Sequence, residues 1–592
     1  MSHFAFGPII HEQGVLFRLW APLQEKIGLR IDDGPLLPMT AADGGWRILD
    51  VKDAGAGTRY RFVLEDGLEI PDPASRHQPD GLKGPSEVVD PSHYLWRTPD
   101  WRGRPWEDSV VYELHVGAFT PEGTFKSAAA KLPYLADLGV TVIQLMPLAE
   151  FPGRWGWGYD GVLHYAPYSG YGAPDDLKAF VDEAHRHGLS VMLDVVYNHF
   201  GPDGNYMGLY APLFTERHHT PWGAGINYDD TDSKLVRDYV IQNAIYWIDE
   251  FRMDGLRLDA VHAIDDTSDE HLLAELARRV RAAAGDRIVH LVVENEHNDP
   301  TLLERDATGM PLAYTAQWND DIHHALHVAA TGETVGYYAD YQALPQDLGR
   351  ALTEGFIYQG QEMPYRGSTR GGASAHLPAQ AFIAFIQNHD QIGNRAFGDR
   401  LVDFAEDNAL SAISAIYLLS PQIPMLFMGE EWASARPFPY FCDFDDDLNQ
   451  KVREGRGKEM SRLPGFEPEH ADKIPDPTSE ETFLSAKVDW EECADDLAGN
   501  SLDFYKTLLA IRREKVIPLL KQTLQTASYQ TEATRLDVSW RYDNAVLSLS
   551  VNLGADAVPA REETRGDILW RSHRDTDGLR APWSVIWTIE AA

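Results

Sequence analysis

The stretch DDLKAFVDEAHRHG (175–188) runs directly into LSVMLDVVYNH (189–199), and reading that junction decides the fold. Leu177, Phe180, Val181 and Ala184 recur at i, i+3, i+4 and i+7, which lines one face of a helix. Gly188 is a natural residue to end it. The next segment switches to a short apolar run that ends in polar groups, as a buried strand does when it reaches a sheet's rim.

The same alternation extends outward from about residue 105. Strands are expected at VVYELHVGAF (110–119), VTVIQLMPL (140–148), SVMLDVVYN (190–198) and GLRLD (255–259). Four more follow at HLVVE (290–294), PLAYTAQW (311–318), AFIAFIQN (381–388) and PMLFMGEE (424–431). Helical patterns fall between them; Leu132, Leu135 and Leu138 precede Gly139 in one that starts at Lys126. Eight strands alternating with helices make an α/β chain whose expected core is a (β/α)8 TIM barrel over residues 96–520, with an open doubly wound sheet as the structural alternative.

The flanks read differently. GVLFRLWAP (14–22) and the hairpin pattern RYRFVLEDGLEI (59–70) suggest a small N-terminal β-sandwich over residues 1–95, ending in a clasp rich in Pro and Gly (70–91). RLDVSWRYDNAVLSLSVNL (535–553) reads as a hairpin turning at Asp543-Asn544, so an antiparallel β domain is expected over 521–592. Two long irregular stretches, 200–233 and 432–500, follow the third and eighth strands, and loops of that length are commonly functional.

Composition narrows the function classes. A net charge of −39 repels nucleic acid and anionic membranes, and it suits a neutral substrate such as a sugar. The 16 Trp, 25 Tyr and 23 Phe suit a groove that stacks flat rings. Two cysteines, Cys442 and Cys493, cannot build a disulfide framework, though one bridge between them is conceivable. The start, MSHFAFGPII, lacks the pattern of a signal peptide, and the most apolar stretch (409–429) is broken by Ser, Gln and two Pro, as in a core helix followed by a strand. A cytoplasmic protein is expected. No dinucleotide motif or zinc spacing occurs, so no cofactor or metal is expected. Asp229, Asp230 and Asp232 imitate a calcium site but read better as an acidic turn.

Three apolar runs end in carboxylates: Asp259, Glu294 and Asp390. In a parallel β/α barrel those ends carry the chemistry, and a pair of Asp/Glu residues is the usual apparatus for glycosidic bonds. Arg257 shares a strand face with Asp259 and favours its ionised form. His199 and His389 follow strand ends as donors that suit sugar hydroxyls, and Asp194 and Asn198 complete the polar set with Arg257 and the three carboxylates.

The segments DVVYNH (194–199), GLRLDAVH (255–262), VVEN (292–295) and FIQNHD (385–390) resemble the four signature segments of the alpha-amylase family of retaining glycoside hydrolases, in order and on the expected strands. The resemblance implies Asp259 as nucleophile, Glu294 as general acid/base and Asp390 as stabiliser of the transition state. It implies that Arg257, His199 and His389, with Asp194 and His262 of the same segments, hold the reacting sugar, and that Tyr159 of WGWGYDG (155–161) stacks beneath it. FRLWAP resembles the early-set sandwich of branching, debranching and trehalose-forming members. WNDDIHH (318–324), DPASRHQPDG (72–81), YNHFGPDGNY (197–206) and HDQIGNRAFGDR (389–400) resemble the members that release trehalose from maltooligosyl trehalose. So do the acidic 438–459 stretch and IPDPTSEETF (474–483). This implies Trp318, Asn319, Asp320, Asp321, His323 and His324 around the leaving disaccharide, with Gln391 and Asn394 also in contact with substrate. It implies maltooligosyl trehalose as the binding partner, and as functional partner the enzyme that makes it. Against that, a WNDD run also makes a helix cap. The rival readings are a 1,4-α-glucan branching enzyme and a glycan-binding member without catalysis; the latter typically lacks one of the three carboxylates, all of which are here.

Overall fold

The computed structural model describes residues 4–220, 223–460, 466, 473–560 and 566–592, so the parts of the terminal and loop expectations that fall on 1–3, 221–222, 461–465, 467–472 and 561–565 lie outside the described residues. Eight parallel strands close into a barrel in chain order: β1 (Val111–Leu114), β2 (Val142–Leu145), β3 (Ser190–Val195), β4 (Gly255–Leu258), β5 (His290–Val293), β6 (Ala316–Trp318), β7 (Phe382–Ala384) and β8 (Ile423–Phe427), with β8 hydrogen-bonded back to β1. Each is shorter than its expected run and lies within it, except that β8 starts one residue early, at Ile423. At β6 the paired strand starts only at Ala316, because residues 311–315 belong to the approaching loop. The doubly wound alternative is excluded by closure.

The barrel interior is packed. Trp106, Val111, Val142, Met192, Val292, Ala316, Ile383, Ile423 and Met425 fill it, and Trp318 and Phe385 close the end from which the catalytic-rim loops rise. Outside, the helix Pro174–Arg186 buries the Leu177, Phe180, Val181 and Ala184 stripe against the strands and ends at Gly188, whose φ is 73°. The helical pattern from Lys126 is split into Phe125–Ala129 and Leu132–Leu138. Pro133 has no N–H to continue the first helix but suits the first turn of the second. Helix Asp407–Leu419 leads into β8 as the pattern of 409–429 suggests.

Two antiparallel sheets precede the barrel. One orders Ile9–His11, Gly14–Trp20, Trp46–Lys52 and Thr40–Ala42; the other is built on Gly28–Ile31 and Arg59–Val63. Phe17 of the first meets Tyr60 of the second at 4.8 Å, so the apolar faces pack together. The C-terminal region forms a five-stranded antiparallel sheet containing the expected hairpin, Arg535–Tyr542 against Ala545–Asn552. Trp540 and Trp587 stack within it and donate their indole N–H groups to the carbonyls of Leu352 and Ala415 on the barrel side. Both cysteines are free. Among the described residues no helix is long and apolar enough to cross a membrane.

Gly255 sets the spacing of the two central strands. A Cβ there would stand 2.4 Å from the His290 carbonyl oxygen of β5 and 3.0 Å from Met192 Cγ of β3. Gly255→Ala should therefore destabilise by about 1–3 kcal/mol through overpacking. Calorimetry should show a lower unfolding temperature, and an unchanged one would mean β4 and β5 yield freely.

Candidate active site

The strand register brings the carboxylates together. Asp194 on β3 pairs with Arg257 on β4, and Leu258 pairs with Val293, so Asp259 and Glu294 stand side by side one residue past their strands. The Arg257 guanidinium is fully buried and spans three carboxylates. One terminal nitrogen donates to Asp194 Oδ2 at 2.6 Å and Asp259 Oδ1 at 2.9 Å; the other donates to Glu294 Oε2 at 2.6 Å. Its planar fork suits this task as a lysine would not. Its Cζ lies over the Trp318 ring, 4.0 Å from the ring centroid. Tyr159 donates its hydroxyl to Asp194 at 2.7 Å, and Asn198 donates to Asp259 Oδ2 at 2.8 Å. The chain after Asp259 enters the left-handed region at Ala260 (φ 38°), which aims the Ala260 N–H at Glu294 Oε2, 3.0 Å away. Backbone strain of this kind is characteristic of functional sites.

Above this cluster lies a cleft of about 890 Å³. Asp259, Glu294, Asp390, Tyr159, His199, His262, His389, Gln391 and Asn394 all line it, with Arg257 and Asp194 in the layer beneath. His199 is fixed by a 2.9 Å bond from Nε2 to the Tyr159 carbonyl. Walls that the sequence reading missed come from Trp157, Asp160, Glu296, Tyr337, Tyr365, Arg370, Tyr440 and Arg456. Trp157 and Asp160 lie inside the quoted WGWGYDG, and Tyr440 and Arg456 inside the quoted 438–459 stretch, so those segments held a usable signal; Tyr337, Tyr365 and Arg370 reach the rim from the long segment between β6 and β7, a return that no local pattern encodes.

The segment after β6 divides. Trp318, Asp320 and His324 face the cleft; Asn319, Asp321 and His323 do not line it. Asn319 caps helix Asp320–Thr331, accepting from the Ile322 N–H and donating to the Gly355 carbonyl. Asp321 is fully buried, ion-paired to Arg370 at 3.0 Å, and accepts from the Tyr341 hydroxyl and the Ile357 and Tyr358 N–H groups. His323 bridges the Ile386 carbonyl and the Tyr338 hydroxyl. These three side chains are spent on the fold, Asn319 as the helix cap and Asp321 and His323 on partners inside the protein. The reading of all six as substrate contacts is corrected to that extent. The acidic run after β3 is also internally engaged, Asp229 by His218 and Thr267 and Asp230 by Thr215 and Thr231. Among the described residues no group of three or more His, Cys, Asp or Glu is arranged to hold a metal.

Burial pushes three carboxylates of the rim upward. Burial raises the Glu294 pKa, Arg257 opposes the rise, and Asp259 adds to it, a pattern suited to a group that must carry a proton. Burial raises Asp390 too, with His389 opposing. Asp320 is pushed up to about 8 by burial and by Glu294.

The closed barrel and the carboxylate cluster on its C-terminal rim define a glycoside hydrolase of the alpha-amylase class, and the alpha-amylase catalytic-domain model matches residues 83–209. Malto-oligosyltrehalose trehalohydrolases of Saccharolobus solfataricus and Deinococcus radiodurans are each 44% identical over 86% of this chain, covering 87% and 82% of their own lengths. A solved Salmonella typhimurium protein described as an alpha amylase is 46% identical, covers 99% of this chain and 100% of its own, and superposes with a TM-score of 0.92. A 1,4-alpha-glucan branching enzyme of Streptomyces coelicolor is 35% identical over only 43% of this chain and 37% of its own. The chain belongs to the malto-oligosyltrehalose trehalohydrolase family.

Neighbouring acids should behave oppositely on mutation. Asp321→Ala strands a buried Arg370 and should cost about 3–5 kcal/mol, whereas Asp320→Ala at the cleft wall should change stability by less than about 1 kcal/mol. Equal losses in denaturant titrations would contradict this division of the helix start.

Proposed function

We propose that this enzyme hydrolyses the α-1,4 bond next to the terminal trehalose unit of maltooligosyl trehalose, with retention of configuration, in the cytoplasm, on substrate supplied by an enzyme that builds the trehalose end. The observation that carries the mechanism is the single guanidinium that grips Asp259 and Glu294 together. That grip favours the short carboxyl separation of about 5–5.5 Å used by retaining enzymes over the wider gap that holds a water between the groups. The names of the relatives that match most of the chain support the substrate.

In this reading Glu294 gives its proton to the bridging oxygen while an Asp259 oxygen attacks the anomeric carbon. The C–O bond to the trehalose unit breaks, and free trehalose leaves. A water then gives its proton to Glu294 and its oxygen to the anomeric carbon, which releases Asp259. Asp390 and the electron-rich surroundings favour the cationic transition state. Trehalose has no reducing end and is bent at its 1,1 linkage, so the leaving side needs its own polar contacts. Asp320 suits that role: it faces the cleft beside Glu294, and no hydrogen bond within the protein is recorded for its carboxyl among the described residues.

Asp259→Asn and Glu294→Gln should each reduce turnover by several orders of magnitude without loss of fold. Proton NMR of the first-formed product should show the α anomer; a β anomer would remove the covalent route. Because the Glu294 pKa is raised, activity should fall as pH rises through a value above the usual carboxylate range. That limb should be missing when Glu294→Gln is assayed on a substrate with a good leaving group.

Asp320→Ala should weaken kcat/KM for maltooligosyl trehalose on the order of 10²-fold more than for a plain maltooligosaccharide, since only the first places trehalose on the leaving side. Equal loss on both substrates would show that Asp320 supports the rim. New α-1,6 branches made from amylose without release of reducing sugar would restore the branching reading.

A further inference from the structure

Glu113 lies on β1, fully buried and outside every segment that marks the site. Both its carboxylate oxygens are committed to one residue. Oε1 accepts from His389 Nδ1 at 2.8 Å, and Oε2 accepts from the His389 backbone N–H at 3.2 Å. On the opposite edge of the ring, His389 Nε2 stands 3.4 Å from Asp390 Oδ2. Each ring nitrogen therefore faces a carboxylate. A neutral imidazole carries one N–H and one lone pair, and a lone pair turned to a carboxylate is repulsive; only the imidazolium satisfies both sides. The ring is held in that orientation by Tyr159 stacked at 5.1 Å, Trp157 edge-on at 5.4 Å and Trp318 at 6.0 Å.

We propose that Glu113 is a positioning residue that keeps His389 doubly protonated, so that a cationic donor stands beside Asp390 where the sugar reacts. The proposal rests on glycoside cleavage at this carboxylate cluster and is independent of trehalose as the leaving group. The charged and titratable groups around the imidazole are Glu113 and His115 from the β1 segment, Arg257 from β4 and the adjoining Asp390, with Glu294 facing Asp390 in turn. Burial and Arg257 disfavour the imidazolium, but Asp390 and Glu113 outweigh them and hold His389 at about 9. A permanent cation there also opposes the rise that burial imposes on the Asp390 pKa.

The test is Glu113→Gln, which keeps the size and one acceptor oxygen but removes the charge. Histidine-selective NMR, with His389→Gln to assign the resonance, reads the imidazole directly and without substrate. The pKa of His389 should fall by about 1–3 units in Glu113→Gln. On maltooligosyl trehalose at pH 7–8, kcat should fall roughly 10-fold, the difference between a charged and a neutral donor, with KM nearly unchanged. The deficit should narrow toward acid pH, where the variant's imidazole regains its proton; a packing defect would not be rescued in this way. His389 titrating at the same pH in both proteins, or a deficit that does not vary with pH, would overturn the proposal. If the variant does not fold, the wild-type spectrum decides, because a singly protonated His389 at pH 7 is incompatible with it. Wild-type inactivity on maltooligosyl trehalose would overturn the substrate reading and leave the NMR result standing.

Discussion

The structure at the catalytic rim depends on one buried cation. Arg257 sits beneath the cleft with no exposure, flanked by Asp194, Asp259 and Glu294 and covered by the Trp318 ring. Desolvating a guanidinium is costly, and such a network is poor evidence for stability in itself. Its value here is positional. A planar fork fixes the angle between two carboxylates on adjacent strands, and its charge opposes the rise that burial imposes on the Glu294 pKa. Replacing the cation with packed apolar side chains could fill the space but would leave two carboxylates with no fixed relation.

The layers around Arg257 follow from the barrel's geometry. Below it, inward-facing apolar side chains from seven of the eight strands, all but β4, make a solid plug, so the rim has a rigid floor. Above it, the donors His199, His389 and Tyr159 are each tied to a second group: the Tyr159 carbonyl, Glu113 and Asp194 respectively. A site assembled in this way from strand ends, with Tyr159 reaching in from the loop after β2, is held by bonds among its own members. The loops can then specialise. Those after β6 and β8 bring Asp320, His324, Tyr440 and Arg456 to the cleft and shape what enters it.

The helix that starts at Asn319 shows how one short segment serves both needs. Asn319 and Asp321 point into the protein and satisfy the helix start and a loop carrying Arg370, while Asp320 between them points out. Successive residues of a helix point about 100° apart, so the run Asn319-Asp320-Asp321 cannot all face one ligand. The same run thus contains a cap and a substrate wall, where the sequence reading weighed them as alternatives.

The sequence by itself determined the eight strands, their order and the carboxylates at their ends. Those follow from local rules: apolar runs of strand length, helical stripes such as Leu177 to Ala184, and the cost of burying Asp259, Glu294 or Asp390 without partners. Tertiary structure alone decided how far each strand is paired, as at β6, and which polar residues beyond the strand ends reach the cleft. It also decided that Arg257 would be shared among three carboxylates on three strands, and that Glu113, 276 positions from His389 in the chain, would be its partner. No periodicity encodes such contacts, because they arise only when closure of the barrel brings β1 back beside β8 and carries Glu113 and the turn after β7 to the same rim.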